Sequence, residues 1–271
     1  AGSEENPYLL KTKDDLIKLS KYTSIAQQLF PDTYFKITND IDLEKDPEFL
    51  GLCTSITTAA TDAHVQFAGH IDGGGYFIHN MYLKDAVVWK TEPTDTSLGL
   101  PLTGSNGKPG SLSYKGFIGR LAPEGSVKNL NIAADCSLTN FWATSGAIVG
   151  YNYGLIENCK NYADVLGYSC WIGGITGQNL KQGVIRNCYN AGKITSGYMN
   201  AGGIAGSNYG LIENSENAGD ITVDVRSTYF KNTKLKSAGG IAGSLTGGRI
   251  TNSVNSGTIF ALVGRAGGIT A

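Results

Sequence analysis

The sequence predicts an all-β protein: a single-stranded, right-handed parallel β-helix of about six or seven coils with an N-terminal capping α-helix. Two observations carry this. Near-identical strings recur, GAIVG…GLIENCKN, GGITG…GVIRNCYN, GGIAG…GLIENSEN and GGIAG…GRITNSVN, followed by a last GGIT. Their anchors Gly146, Gly173, Gly202, Gly239 and Gly267 are 27, 29, 37 and 28 residues apart, a period that marks solenoids. Within each unit apolar and polar residues alternate over a few positions, which is the period of a strand and not of a helix.

The elements follow in chain order, and we read residues 1–271 as one domain, although length alone permits one or two. Residues 1–31 form an arm and the one convincing helix. Thr12 and Asp15 fit a capping box, Leu16, Leu19, Tyr22, Thr23, Ala26 and Leu29 have helical spacing, and Pro31 is expected to end the run. The helix is expected to cover the open end of the stack, which would otherwise template aggregation. Residues 32–145 read as irregular coils with an insertion at 84–115, and 146–271 as regular repeats, the last one truncated.

Each regular unit reads as three strands joined by three corners. The first is small and apolar, as in Gly146-Ala147-Ile148-Val149-Gly150. The second places Ile156, Ile185, Ile212 and Ile250 two residues before Asn158, Asn187, Asn214 and Asn252. A second asparagine follows three residues later, at Asn161, Asn190, Asn217 and Asn255. The third ends at Ile194, Ile221 and Ile259, with Val165 in the variant unit. Stacked isoleucines would fill the interior. Asn80, Asn129, Asn158, Asn187, Asn214 and Asn252 are expected to form one axial ladder, on the match of Ile78-His79-Asn80 to Val127-Lys128-Asn129. Asn39 would be its earliest member.

Composition excludes several functions. With 17% charged residues and a net charge of −1, the chain lacks the clustered lysine and arginine of a nucleic-acid groove or a polybasic membrane patch. No apolar run approaches the roughly 18 residues of a membrane span, so this segment inserts in no membrane. No signal peptide is seen, and the polar start at Ala1 reads as a mature or trimmed terminus. The chain stops inside a repeat, as a fragment would, or as a last coil capped by something else.

The five cysteines are odd in number and contain no CxxC, so they do not fix the compartment. Cys159 and Cys188 share a repeat position and are expected to stack inward as free thiols, since parallel neighbours rarely aim their sulfurs at each other.

Glu157 and Glu213 share a position with Arg186 and Thr251 and read as solvated strand residues. Asp72 opens a glycine turn, and Asp40 with Asp42 offers only part of a calcium shell. His70 and His79 flank that turn, but no HExxH accompanies them and His64, and zinc needs at least three ligands. No GxSxG, P-loop or dinucleotide fingerprint occurs in context. No catalytic residue, metal or cofactor is therefore assigned.

Candidate binding residues lie where the repeat is broken, because insertions into a solenoid leave its side as loops. The insertion 84–115 carries Trp89. The segment 223–237 lengthens one unit and carries Arg226, Tyr229, Phe230, Lys231, Lys234 and Lys236. Before successive anchors stand Phe141-Trp142, Tyr168 with Trp171, and Tyr198-Met199, which suit sugar rings or the packing of long corners. Of these, Trp142, Trp171, Tyr198, Arg226, Tyr229, Phe230 and Lys231 are the named candidates, and an anionic glycan or acidic protein patch is the expected partner.

The strings Asn152-Tyr153-Gly154-Leu155-Ile156-Glu157-Asn158-Cys159 and Asn208-Tyr209-Gly210-Leu211-Ile212-Glu213-Asn214-Ser215 resemble the GLUG repeat of bacterial surface proteins. Asn39-Asp40-Ile41-Asp42-Leu43 and Phe67-Ala68-Gly69-His70-Ile71-Asp72-Gly73-Gly74-Gly75 resemble the segment that often precedes such repeats. Together they cover the chain from about residue 8 onward. The resemblance implies a β-helix in a secreted or surface-anchored protein, often adhesin-like, and sometimes a non-catalytic region of a large IgA-cleaving metallopeptidase. It implies no ligand. The expectation is a monomeric, extracellular, non-catalytic binding or scaffold module that recognises glycans or host proteins. The alternative is a carbohydrate-active β-helix, a polysaccharide lyase or glycoside hydrolase.

Overall fold

The computed structural model describes residues 1–54, 65–84, 114–140, 143–167, 171–197, 199–223, 236–262 and 264–271. It is a parallel β-helix whose strands pair in five parallel sheets of eight, seven, six, six and four strands. One coil shows the path: Leu155–Glu157 in the first sheet, Lys160–Asn161 in the second, Asp164–Gly167 in the third, Ile172–Gly173 in the fourth and Thr176–Asn179 in the fifth. Val184–Arg186 then opens the next coil beside Leu155–Glu157. Each unit thus has five short strands and not the three expected. Strands of two to four residues leave corners between them that one repeat string does not display.

The interior is one residue deep. Ile71, Val127, Ile156, Ile185 and Ile212 are in register along the first sheet, and each is at most 1% exposed. Stacking in register lets each isoleucine bury its surface on the copies above and below, at about 25 cal/mol per Å² of apolar area removed from water. Between the fourth and fifth sheets the chain turns so tightly that a Cβ on Gly173 would collide with the Thr176 carbonyl oxygen. The repeated glycines answer that close approach.

The helix spans Lys13–Ser24, with the expected capping box between Thr12 and Asp15. It ends well before Pro31: Gln27 and Phe30 already have positive φ, and Ala26 and Leu29 lie outside the helix. Its buried face holds Leu16, Ile17 and Leu19 against the core. Its hydroxyls stand in for a missing strand. Ser20 Oγ accepts from Leu50 N–H, Thr23 Oγ1 from Cys53 N–H and Ser24 Oγ from Thr54 N–H, at 3.1 Å each. Both serines donate to Gly51 O. The helix therefore satisfies the edge of the first coil at 50–54. The outermost strand of the first sheet is instead Tyr8–Leu10, paired with Tyr34–Ile37.

The expected asparagine ladder is corrected in two ways. Asn129, Asn158, Asn187, Asn214 and Asn252 do form an axial row, directly after strands held in register by Val127, Ile156, Ile185, Ile212 and Ile250. Their common property is backbone: every φ lies between 48° and 54°. Asparagine tolerates this left-handed conformation, which turns the chain from the first sheet to the second. Their side chains are mostly exposed, and along the row one amide contact joins Asn158 Nδ2 to Asn129 Oδ1 at 3.2 Å.

Asn80 does not belong to that row. Val127 pairs with Ile71, and Ile78 pairs with Ile132, so Asn80 sits at the next corner, between the second and third sheets. It too has positive φ, and its amide donates to Asp42 Oδ1. Matching on an Ile-x-Asn string alone slid the early coil by one strand. The place opposite Asn129 belongs to Gly73, whose neighbours Gly74 and Gly75 have positive φ.

Buried amide ladders exist elsewhere. In the second sheet Asn161 Nδ2 donates to Asn190 Oδ1, Asn190 to Asn217 and Asn217 to Asn255, at 2.8, 2.7 and 2.7 Å. At the corner after the fifth sheet Asn152 donates to Asn179 and Asn179 to Asn208, both at 2.8 Å. Asn152, Asn161, Asn179, Asn190, Asn208 and Asn217 are 0% exposed. A repeated amide is self-complementary, so stacking it in register satisfies a polar interior that a single coil could not.

On the outer face of the first sheet, charge alternates coil by coil. Lys36, Asp72, Lys128, Glu157, Arg186 and Glu213 are successive register partners. Lys128 lies 3.3 Å from Glu157, and Arg186 lies 3.7 and 3.5 Å from Glu157 and Glu213. Each half-exposed pair is worth about 0.2–1 kcal/mol. A coil slipped out of place would set like charges side by side, so the row acts mainly on register.

Cys53, Cys136, Cys159 and Cys188 are buried free thiols. The sulfurs of Cys159 and Cys188 each face carbonyls, at 3.4 Å from Glu157 O and 3.3 Å from Arg186 O. Burial pushes the Cys53 and Cys136 thiols up to about 12 and raises that of Cys188. Cys170 lies outside the described residues. We therefore expect a Cys170→Ser protein to show no thiol reacting with Ellman's reagent within minutes at pH 8, and four in denaturant. Rapid native labelling would contradict this burial.

Candidate binding face

Every coil from the second onward crosses from the third sheet to the fourth at one corner. The strands Tyr82–Lys84 and Tyr114–Lys115 flank the insertion expected at 84–115. Ile221–Val223 and Ser237–Gly239 flank the one at 223–237. The aromatic segments before the anchors fall at the same corner, between Ser137–Asn140 and Thr144–Gly146, between Asp164–Gly167 and Ile172–Gly173, and between Ile194–Ser196 and Ala201–Gly202. The topology therefore gathers all these breaks of the repeat on one side of the stack. Of the named candidates, Trp142, Tyr198, Arg226, Tyr229, Phe230 and Lys231 lie outside the described residues.

Trp171 is described and half-buried. Ile172, its neighbour, pairs with Ser145 and is 0% exposed, so alternation sets Trp171 on the outer row beside Thr144 and Tyr114. A row of the fifth sheet runs next to it, with Arg120, Tyr151, Gln178 and Ser207 as register partners, the first two half-buried and the last two buried. At its start these rows meet in a cluster. Tyr114 and Tyr151 touch edge to face with centroids 4.7 Å apart. The Arg120 guanidinium lies 5.6 Å from the Tyr114 ring centre and 5.1 Å from that of Tyr153. Its Nη2 donates to the Tyr153 hydroxyl at 2.9 Å.

The titratable residues singled out in the sequence go elsewhere. His70 stacks on Tyr34 at 4.3 Å and shares a hydrogen bond with Ser126 Oγ, in the first sheet. His79 lies in the second sheet, 2.8 Å from Asp135 Oδ2, so the two histidines do not form one site. His64 lies outside the described residues. Asp40 accepts from Phe77 N–H. Asp42 accepts from Glu44 N–H and from Asn80 Nδ2, which hold its carboxyl below the usual range. Burial pushes the Asp72 carboxyl up, but hydrogen bonds from Asn129 and Gly74 and the charge of Lys36 outweigh it and leave it lowered. Asp135 is likewise raised by burial but lowered on balance by bonds from Asn80 N–H and His79. Among the described residues no group of three His, Cys, Asp or Glu side chains could hold a metal ion.

The stack resembles two solved structures. One, described as IgA1 Protease, matches all of this chain and 18% of its own length, at a TM-score of 0.64 and 18% identity. The other, a candidate immunoglobulin A1 protease from Bacteroides ovatus, matches 98% of this chain and 85% of its own, at a TM-score of 0.56 and 18% identity. The chain thus spans less than a fifth of the first of these proteins. At such identity the likeness speaks for the fold. No family model and no curated protein matches the sequence.

Sequence reasoning reached Trp171 but missed Tyr114, Arg120, Tyr151 and Tyr153. Tyr153 was visible in the string Asn152–Cys159, where it reads as a motif residue, and Tyr151 stands just before that string. Tyr114 and Arg120 lie in the irregular coils, where no repeat told which way they point.

Proposed function

We propose that this chain is a non-catalytic binding and scaffold module of a larger extracellular or surface-anchored bacterial protein, recognising glycans or host proteins. The observation that carries the reading is the fate of the aspartates. Asp40, Asp42, Asp72 and Asp135 each bind backbone N–H groups, and the last three are held below their usual range. Glycoside hydrolysis needs a carboxyl raised enough to donate a proton, beside a second that attacks or activates water. Asp42, Asp72 and Asp135 are shifted the opposite way; Asp42 and Asp72 anchor their own turns, while Asp40 and Asp135 tie neighbouring coils together.

Two further points support the reading. The likeness to a small part of a much longer protein described as IgA1 Protease fits a module, as does the resemblance of the Asn152–Cys159 and Asn208–Ser215 strings to GLUG repeats. The side where the insertions leave the stack carries Trp171, Tyr114, Tyr151 and Arg120, residue types that concentrate binding energy.

Incubation with polyuronates, xylans and host glycans, with and without calcium, is expected to release no unsaturated or reducing ends. Release that disappears in Asp40→Asn or Asp72→Asn would overturn the non-catalytic reading in favour of a lyase or hydrolase. Release that survives both changes would overturn it too and place the site elsewhere.

A further inference from the structure

We infer that the Arg120–tyrosine cluster is a subsite for the carboxylate of an acidic sugar, such as a uronic or sialic acid; this rests on the binding-module reading and names its site and ligand class. Arg120 is the geometric centre of the cluster. Its guanidinium is held against two aromatic faces and by one hydrogen bond to Tyr153, a neutral group. Among the described residues no carboxylate lies within ion-pair distance of it, whereas Arg186 is flanked by Glu157 and Glu213. Its Nε is shielded from solvent and makes no hydrogen bond. A planar cation with no carboxylate beside it among the described residues, held in place by two rings and a hydroxyl before any ligand arrives, suits recognition of a carboxylate.

The surroundings favour a sugar over an acidic peptide. Arg120 is half-buried on the edge strand Ile118–Leu121 of the fifth sheet, but that edge is bridged to Leu52 and Phe67 and the Arg120 carbonyl accepts from Phe67 N–H, so the strand is not open to an extended peptide. Around it stand the rings of Tyr114, Tyr151 and Tyr153, and half-buried Trp171 lies on the same side in a later coil. Aromatic rings cover the apolar face of a sugar ring, and tyrosine hydroxyls can pair with its hydroxyls. The rows run along the stack axis, so a linear glycan could lie across successive coils.

The test is titration calorimetry of the whole chain with oligogalacturonate, its methyl ester, sialyllactose and poly-glutamate. Wild type is expected to bind oligogalacturonate or sialyllactose, with the methyl ester weaker than the free acid. Arg120→Gln should weaken the acid by about tenfold or more, as expected for lost charged hydrogen bonds. Arg120→Lys, which keeps the charge but not the planar fork, should lose most of the same affinity. Circular dichroism melts confirm that both variants remain folded, and Tyr114→Ala gives a second reading of the same site. No binding of either acidic sugar, or equal binding by wild type and all three variants, would overturn the subsite. Arg120-dependent binding of poly-glutamate alone would overturn the choice of a sugar. Glycan binding insensitive to these changes would remove the subsite while leaving the module reading intact.

Discussion

Ile212→Asp is expected to unfold most of the stack, whereas Leu211→Asp, one residue away on the same strand, is expected to leave it folded. Ile212 is 0% exposed and lies between Ile185 and Ile250 in register. Its side chain faces a buried apolar core and has no cation among its register partners. A carboxylate placed there keeps its charge at a cost of several kcal/mol or takes up a proton and remains without a partner. Either cost is a large part of a margin of about 5–15 kcal/mol. Leu211 is half-exposed on the outer face, so its replacement loses some packing and strands no charge. Because each coil touches mainly its neighbours, the break at 212 separates the coils on either side, and terminal coils should fray first. Circular dichroism and urea titration would show a lost or broadened transition for Ile212→Asp and a small shift in midpoint for Leu211→Asp. Equal midpoints for the two variants would mean that the inward and outward assignment is wrong.

That assignment was legible because alternation is a local signal. The isoleucines at 156, 185 and 212 announced the core, and Thr12 with Asp15 announced the helix start. The stop of the helix was not legible: Ala26 and Leu29 keep its spacing, and the chain leaves it through the positive φ of Gln27 and Phe30. The number of strands per coil was hidden because corners of as few as two residues leave no turn signature. The register of the early coils was hidden because Asn80 and Asn129 share a sequence context and a backbone conformation while serving different corners. The Arg120 cluster was hidden for a related reason: Tyr114 and Arg120 are joined to Tyr151 and Tyr153 by pairing between coils, which one sequence does not display.

The two asparagine rows make the sharpest test of what a repeated residue is for. Asn187 and Asn190 are three positions apart and recur in the same string. The structure gives them opposite duties. Asn187 has a φ of 53° and an exposed side chain, so its backbone is what the corner needs. Asn190 lies within the strand Tyr189–Asn190, is 0% exposed, accepts from Asn161 Nδ2 and donates to Asn217 Oδ1 and Gly192 O. Asn187→Gly should therefore be nearly neutral, within about 0.5 kcal/mol, because glycine enters the left-handed region freely. Asn187→Ala should cost about 1 kcal/mol, because alanine keeps the Cβ but lacks the short polar side chain that lets asparagine tolerate that region. At Asn190 neither residue substitutes. Both Asn190→Ala and Asn190→Gly leave Asn217 Oδ1 and Gly192 O short of a buried donor, at about 1–3 kcal/mol for each group left unsatisfied. Urea midpoints of the four variants should thus rank Asn187→Gly nearest to wild type, Asn187→Ala next, and both Asn190 variants far below. If Asn187→Gly fell as far as Asn190→Gly, the outer row would be a side-chain ladder after all. If Asn190→Ala were as mild as Asn187→Ala, the buried amides would contribute little, and the isoleucines alone would hold the coils together.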